Sequence, residues 1–105
     1  MNYSRSLINL TEDEIRYFSR KVENMLNKLY EDSDVVLMTA PNEDVLKSII
    51  LEILEERPMN LKEIHAVLSG LASEDKIRKA LLSLTDGGKI HADEVGKFRI
   101  LGSVK

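Results

Sequence analysis

Apolar residues recur at helical spacing in four stretches of this chain and alternate in a fifth, and residues that start or stop helices separate the stretches. Downstream of Thr11, the residues Ile15, Phe18, Val22, Met25 and Leu29 step by three, four, three and four, the spacing of an apolar seam along one helix face. Thr11-Glu-Asp-Glu14 supplies the start, because a threonine hydroxyl at this position reaches the amide of Glu14 while the glutamate returns to the threonine amide. The acids of Glu31-Asp-Ser-Asp34 oppose the helix dipole at the far end and predict a turn there. Val35-Val-Leu-Met38 then reads as a short strand.

Pro41 and Asn42 mark the next start, and Val45, Leu46, Ile49, Ile50, Ile53 and Leu54 form a broad stripe that makes this helix a scaffold. Pro58 forbids its continuation. Asn60 with Glu63 is a variant capping box that opens a second helix, and Gly70 breaks the chain after it. Ser73 caps a third helix whose first turn carries Glu74 and Asp75. On that helix Ile77, Ala80, Leu81 and Leu84 share one arc, which leaves Asp75, Lys76, Arg78, Lys79 and Ser83 toward solvent or a partner. Leu82 lies at the edge of the arc and is expected under the following hairpin. Gly87-Gly88 turns the chain into two pairing segments, 89–92 and 97–101, whose alternation turns Ile90, Phe98 and Ile100 inward and Lys89, His91, Lys97 and Arg99 outward.

This order resembles the winged helix-turn-helix proteins common among bacterial and archaeal regulators. The resemblance is carried by an apolar-x-x-x-Leu-x-x-Leu-x-x-x-Gly-x-Ile pattern joining the third helix to the hairpin, here Ile77, Leu81, Leu84, Gly88 and Ile90. It covers a little over half the chain. It implies a mostly α fold with a small β-hairpin (α+β), built as an N-terminal extension over residues 1–40 and a winged helix over 41–105. It also implies sequence-specific binding of double-stranded DNA by a transcriptional regulator, with the 73–86 helix in the major groove and the 89–101 hairpin as the wing. The expected contacts are Ser73, Lys76, Arg78, Lys79 and Ser83 on the helix. Lys62, Lys89, His91, Lys97 and Arg99 are expected on the wing and DNA backbone, and the amides around Asn60, Leu61 and Lys62 offer a further phosphate contact.

Charge refines this expectation. The formal net charge of −3 argues against a protein that coats nucleic acid unspecifically. Its distribution is uneven: residues 1–40 hold five basic against seven acidic residues, residues 41–70 three against six, and residues 71–105 seven against five. The positive end is the expected recognition helix and wing, although the acidic tip Asp93-Glu-Val-Gly96 departs from a basic wing. That acidity, with Glu74 and Asp75, motivates an alternative: a winged helix that contacts proteins in a larger assembly and no DNA.

The 105 residues, 43% of them hydrophobic, suffice for one core and an added element. The seam of Ile15, Phe18, Val22, Met25 and Leu29 has two possible homes, the chain's own core or the same helix of a second chain; the expectation is a homodimer. No cysteine is present, and the two histidines, His65 and His91, are too far apart in sequence for a metal-ligand motif, so neither metal nor other cofactor is expected. His65, among Ile64, Val67 and Leu68, reads as a core-edge residue. No phosphate loop, carboxylate pair or nucleophile triad emerges, and an enzyme is not expected. With no apolar run near the ~18 residues of a membrane span and no signal peptide, the expected location is cytoplasmic.

Overall fold

A computed structural model describes residues 8–30 and 42–101 of the chain; the expected strand over 35–38 and the Leu29 side chain lie outside the described residues. Within them run α1 (Glu12–Tyr30), α2 (Glu43–Glu56), α3 (Leu61–Leu68), α4 (Glu74–Asp86), β1 (Ile90–Ala92) and β2 (Phe98–Ile100). The fold is mostly helical with a small antiparallel two-stranded sheet.

Local chemistry sets the helix ends. The Thr11 amide donates to Glu14 Oε1 at 2.9 Å, and the Glu14 amide donates to Thr11 Oγ1 at 3.1 Å, a reciprocal cap on two otherwise orphaned donors. Asn42 caps α2 by accepting from the Val45 amide at 2.9 Å. That helix stops at Glu56 because Pro58 bars its predecessor from helical geometry, and Arg57 is extended at φ −164°, ψ 131°. Asn60 and Glu63 cap α3 reciprocally. At the end of α4 the Gly88 amide donates to the Thr85 carbonyl at 3.0 Å and the Lys89 amide to the Leu84 carbonyl at 2.9 Å. This closure puts Gly88 at φ +75°, a left-handed conformation that glycine adopts without the penalty other residues carry.

The core joins all the elements. From α2 come Leu46, Ile49, Ile50, Ile53 and Leu54, which meet Ile64, Val67 and Leu68 of α3, Ile77, Ala80, Leu81 and Leu84 of α4, and Ile90 of β1. Phe18, Val22 and Leu26 of α1, at 4%, 1% and 5% exposure, belong to the same cluster. At about 1.5–3 kcal/mol for each buried side chain, these three attach α1 by several kcal/mol, an upper bound because the unfolded chain already hides some apolar surface. The seam expected between two chains is thus largely occupied within one: Phe18 and Val22 are buried in their own core, and Ile15 and Met25 are half-buried. The described part of the extension over residues 1–40 shares this core with the rest of the fold.

The hairpin follows the expected alternation over residues 90–91 and 98–100. Ile90 pairs with Ile100, His91 with Arg99 and Ala92 with Phe98; Ile90 is buried, Phe98 and Ile100 are half-buried, and His91 and Arg99 are exposed. Met59, read from sequence only as part of a helix break, adds a third segment. Its carbonyl accepts from the Phe98 amide at 2.8 Å, forming an isolated antiparallel bridge, and its side chain is fully buried. The turn between α2 and α3 is thereby tied to the hairpin.

Candidate nucleic-acid interface

The helix expected to meet DNA, α4, carries its charged side chains on the face turned away from the core. Ser73 begins it, accepting from the Lys76 amide at 3.2 Å, so its oxygen serves the helix cap. Ile77, Ala80, Leu81 and Leu84 face inward as the periodicity predicts. On the opposite side Asp75, Lys79, Leu82 and Asp86 fall on one solvent stripe, with Arg78 and Lys76 on its two flanks. Ser83 is half-buried beside the core. Leu82 departs from expectation: it is 59% exposed and is not packed beneath the hairpin. About 200° of helix rotation separates it from both Ala80 and Leu84, which are themselves buried, so no apolar neighbour covers it.

Several of the expected DNA-contacting cations already hold acids. Lys62 Nζ lies 2.9 Å from Glu74 Oε2, which also sits 3.7 Å from Arg78 Nη2. Arg78 Nη1 donates to Asp75 Oδ1 at 2.8 Å, and Arg99 Nε to Asp93 Oδ2 at 3.1 Å. The Lys62 ammonium holds the Glu74 carboxyl below the usual carboxylate range. The Lys62, Arg78 and Arg99 side chains remain 48%, 51% and 51% exposed. Ion pairs so accessible contribute about 0–1 kcal/mol, so exchanging a carboxylate for a phosphate costs these three cations little. Among the described residues Lys76, Lys79 and Lys89 have no acidic partner.

Lys97 is different, and the expectation of an outward Lys97 is corrected by its contacts. Its Nζ lies 3.1 Å from Oε1 and 3.4 Å from Oε2 of Glu63, a carboxylate with no exposed surface. Glu63 Oε1 also accepts from the Asn60 amide at 3.0 Å, and Oε2 from the Asn9 amide at 2.7 Å. Burial pushes this carboxyl up, but the two amides and the ammonium outweigh it and hold the group below its ordinary value. Moving Lys97 to a phosphate would strand a buried charge, at a cost of several kcal/mol. Lys97 therefore anchors the hairpin to α3 and to the segment before α1. The same arrangement removes the expected phosphate contact at Asn60, whose amide is already taken.

The acidic hairpin tip also has an internal role. Asp93 Oδ1 accepts from the Val95 and Lys97 amides, each at 3.0 Å, while the Gly96 amide donates to the Asp93 carbonyl at 3.0 Å. The Lys97 amide, followed by the Arg99 guanidinium and the Val95 amide, holds the Asp93 carboxyl below its usual range. Sequence reasoning missed Glu63 and Asp93 as organisers, because their types signalled only a cap and a repulsive tip. His91 stands exposed opposite Arg99. His65 is half-buried, beside a shallow hollow that it shares with Ser73 and Lys76.

Among the described residues, no group of three or more His, Cys, Asp or Glu is placed to hold a metal ion, and no helix is long and apolar enough to cross a membrane. No protein-family model matches the chain, and no curated protein or solved structure is significantly similar to it.

Proposed function

We propose that residues 42–101 form a winged helix that binds double-stranded DNA sequence-specifically, with α4 in the major groove and the β1–β2 hairpin against the backbone, and that the chain acts as a transcriptional regulator. The observation that carries this reading is the placement of three unpaired lysines close together: Lys76 and Lys79 on the solvent side of α4 and Lys89 just past its end. At 1.5 Å per residue, α4 is about 20 Å long, and a major groove about 12 Å wide admits a helix. Met59, bridged to Phe98, extends the hairpin on its β2 side as a third strand segment. Because Phe18 and Val22 are covered within the chain, this reading does not depend on a second copy paired through that seam.

The expected strength is moderate. Three free lysines and three weakly held cations predict a log–log salt slope between about −3 and −5, at roughly −0.9 per phosphate neutralised. Fluorescence anisotropy with a mixed-sequence duplex, titrated at several salt concentrations, measures that slope. Absence of binding at about 50 mM salt would refute the proposal.

A specific observation favours a second reading, that of a protein-contact module. The face of α4 exposes Leu82, and the hairpin tip exposes Val95 at 73%, while α4 as a whole carries three acids and three bases. This reading predicts no duplex binding and a protein partner whose capture is lost on Leu82→Asp; finding no partner in a pull-down with the full chain would count against it.

A further inference from the structure

We propose that Leu82 is a specificity-determining residue that reads the C5-methyl group of a thymine in the major groove. This inference rests on the DNA-binding reading above and adds to it the base that α4 recognises. Five large hydrophobic side chains are exposed among the described residues, and Leu82 is the one on α4. An isolated exposed leucine is unremarkable in itself; its position is what carries the argument. Leu82 occupies the solvent stripe about one turn beyond Arg78 and Lys79 and one turn before Asp86. It is therefore an apolar side chain at the middle of a charged face.

When a helix lies in the major groove, its central outward residues meet base edges and its flanking residues meet phosphates. The groups that distinguish the base pairs there are hydrogen-bond donors or acceptors, except the thymine methyl, the one apolar substituent among them. Leu82 has neither donor nor acceptor, so the methyl is the base feature from which it gains. Lys76 on one flank and Arg78 on the other carry the charge that complements the two phosphate walls. The fold has no use for this leucine: Leu81 and Leu84 fill the core beside it, so its replacement leaves the protein intact.

The test uses the full chain and a duplex enriched by it from a random-sequence pool. Each thymine is replaced in turn by uracil, which removes only the C5-methyl, and affinities are measured for the wild type and for Leu82→Ala. At the transfer free energy of one methyl group, about a fourfold loss is expected for the wild type at one or two positions. Leu82→Ala should bind the parent duplex about as weakly, show no further loss on uracil substitution at those positions, and melt at the wild-type temperature. Equal sensitivity of both proteins to uracil, or sensitivity of neither, overturns the assignment of Leu82 while leaving DNA binding in place. Failure of the pool to enrich, with no duplex binding at low salt, overturns the DNA-binding reading and this inference with it.

Discussion

Replacing Lys97 with methionine keeps most of the side chain's bulk and removes its charge, so it isolates what the ammonium does for Glu63. The carboxylate would keep its bonds to the Asn60 and Asn9 amides and lose its cation while fully buried. Removing one partner of a buried pair costs about 3–5 kcal/mol. Lys97 itself is 23% exposed, so water partly takes the place of the lost ammonium and the expected cost falls to or below the bottom of that range, about 2–3 kcal/mol. For a domain of this size that corresponds to a fall in melting temperature of roughly 10–20 °C. Glu63→Gln should cost about 2 kcal/mol, because the carboxamide turns an N–H toward a donor that the carboxylate satisfied. The Glu63→Gln/Lys97→Met double variant should be less destabilised than the sum of the single ones by about 1 kcal/mol or more, the coupling expected of groups in contact.

Acid supplies an independent check on the same pair. The folded-state pKa of Glu63 is depressed, so its contribution is complete above the ordinary value of 4.5 and is lost as pH falls through the lowered folded value. The stability gap between the wild type and Glu63→Gln should therefore be constant near neutrality and shrink below pH 4.5. Urea unfolding of the four proteins, at neutral pH and at several acidic values, measures both effects. An additive cycle, with Lys97→Met within about 0.5 kcal/mol of wild type, would show that Lys97 is an ordinary surface residue and would return it to the set of free wing cations.

Other expectations follow from the same contacts. Lys76→Ala and Lys79→Ala should each weaken duplex binding and reduce the magnitude of the salt slope by about 1, with thermal melting unchanged; anisotropy and calorimetry together check this. Phe18→Ala should destabilise the chain by about 3–5 kcal/mol at any protein concentration, whereas a seam between chains would make the melting temperature of the wild type concentration-dependent. Gly88→Ala meets no atom within 4 Å but must adopt φ +75°, at a cost of about 1–2 kcal/mol, readable by denaturant unfolding. Asp93→Ala removes the acceptor for the Val95 and Lys97 amides and frees Arg99, so hydrogen exchange at the hairpin tip should accelerate while the helices are unaffected.

Much of the secondary structure was legible in the sequence because its signals are local. Thr11 with Glu14, Asn42, Asn60 with Glu63, Ser73 and the Gly87-Gly88 pair each act on backbone groups no more than five residues away, and each marks a helix end in the structure. The alternation through the hairpin was legible for the same reason, since neighbouring side chains on a strand point to opposite faces. The candidate site was legible only in part. Periodicity separates the inward Ile77, Ala80, Leu81 and Leu84 from the charged side of α4, but it says nothing of which charges already have partners.

Tertiary packing decided the rest. Lys97 alternates outward by strand rules, yet it ends on a carboxylate 34 residues away, and that carboxylate reaches an amide 54 residues away. No local pattern encodes such pairs, because they arise only when α3, the hairpin and the segment before α1 are brought together. Packing likewise placed the seam of Phe18 and Val22 inside the chain, turned Met59 into a strand bridge and left Leu82 uncovered. An apolar stripe specifies that a face must be buried, since water penalises its exposure, but not against what. The sequence by itself determined where helices begin and end and which of their faces are apolar; the assembled core determined which surface covers each face and which cations remain free to meet a partner.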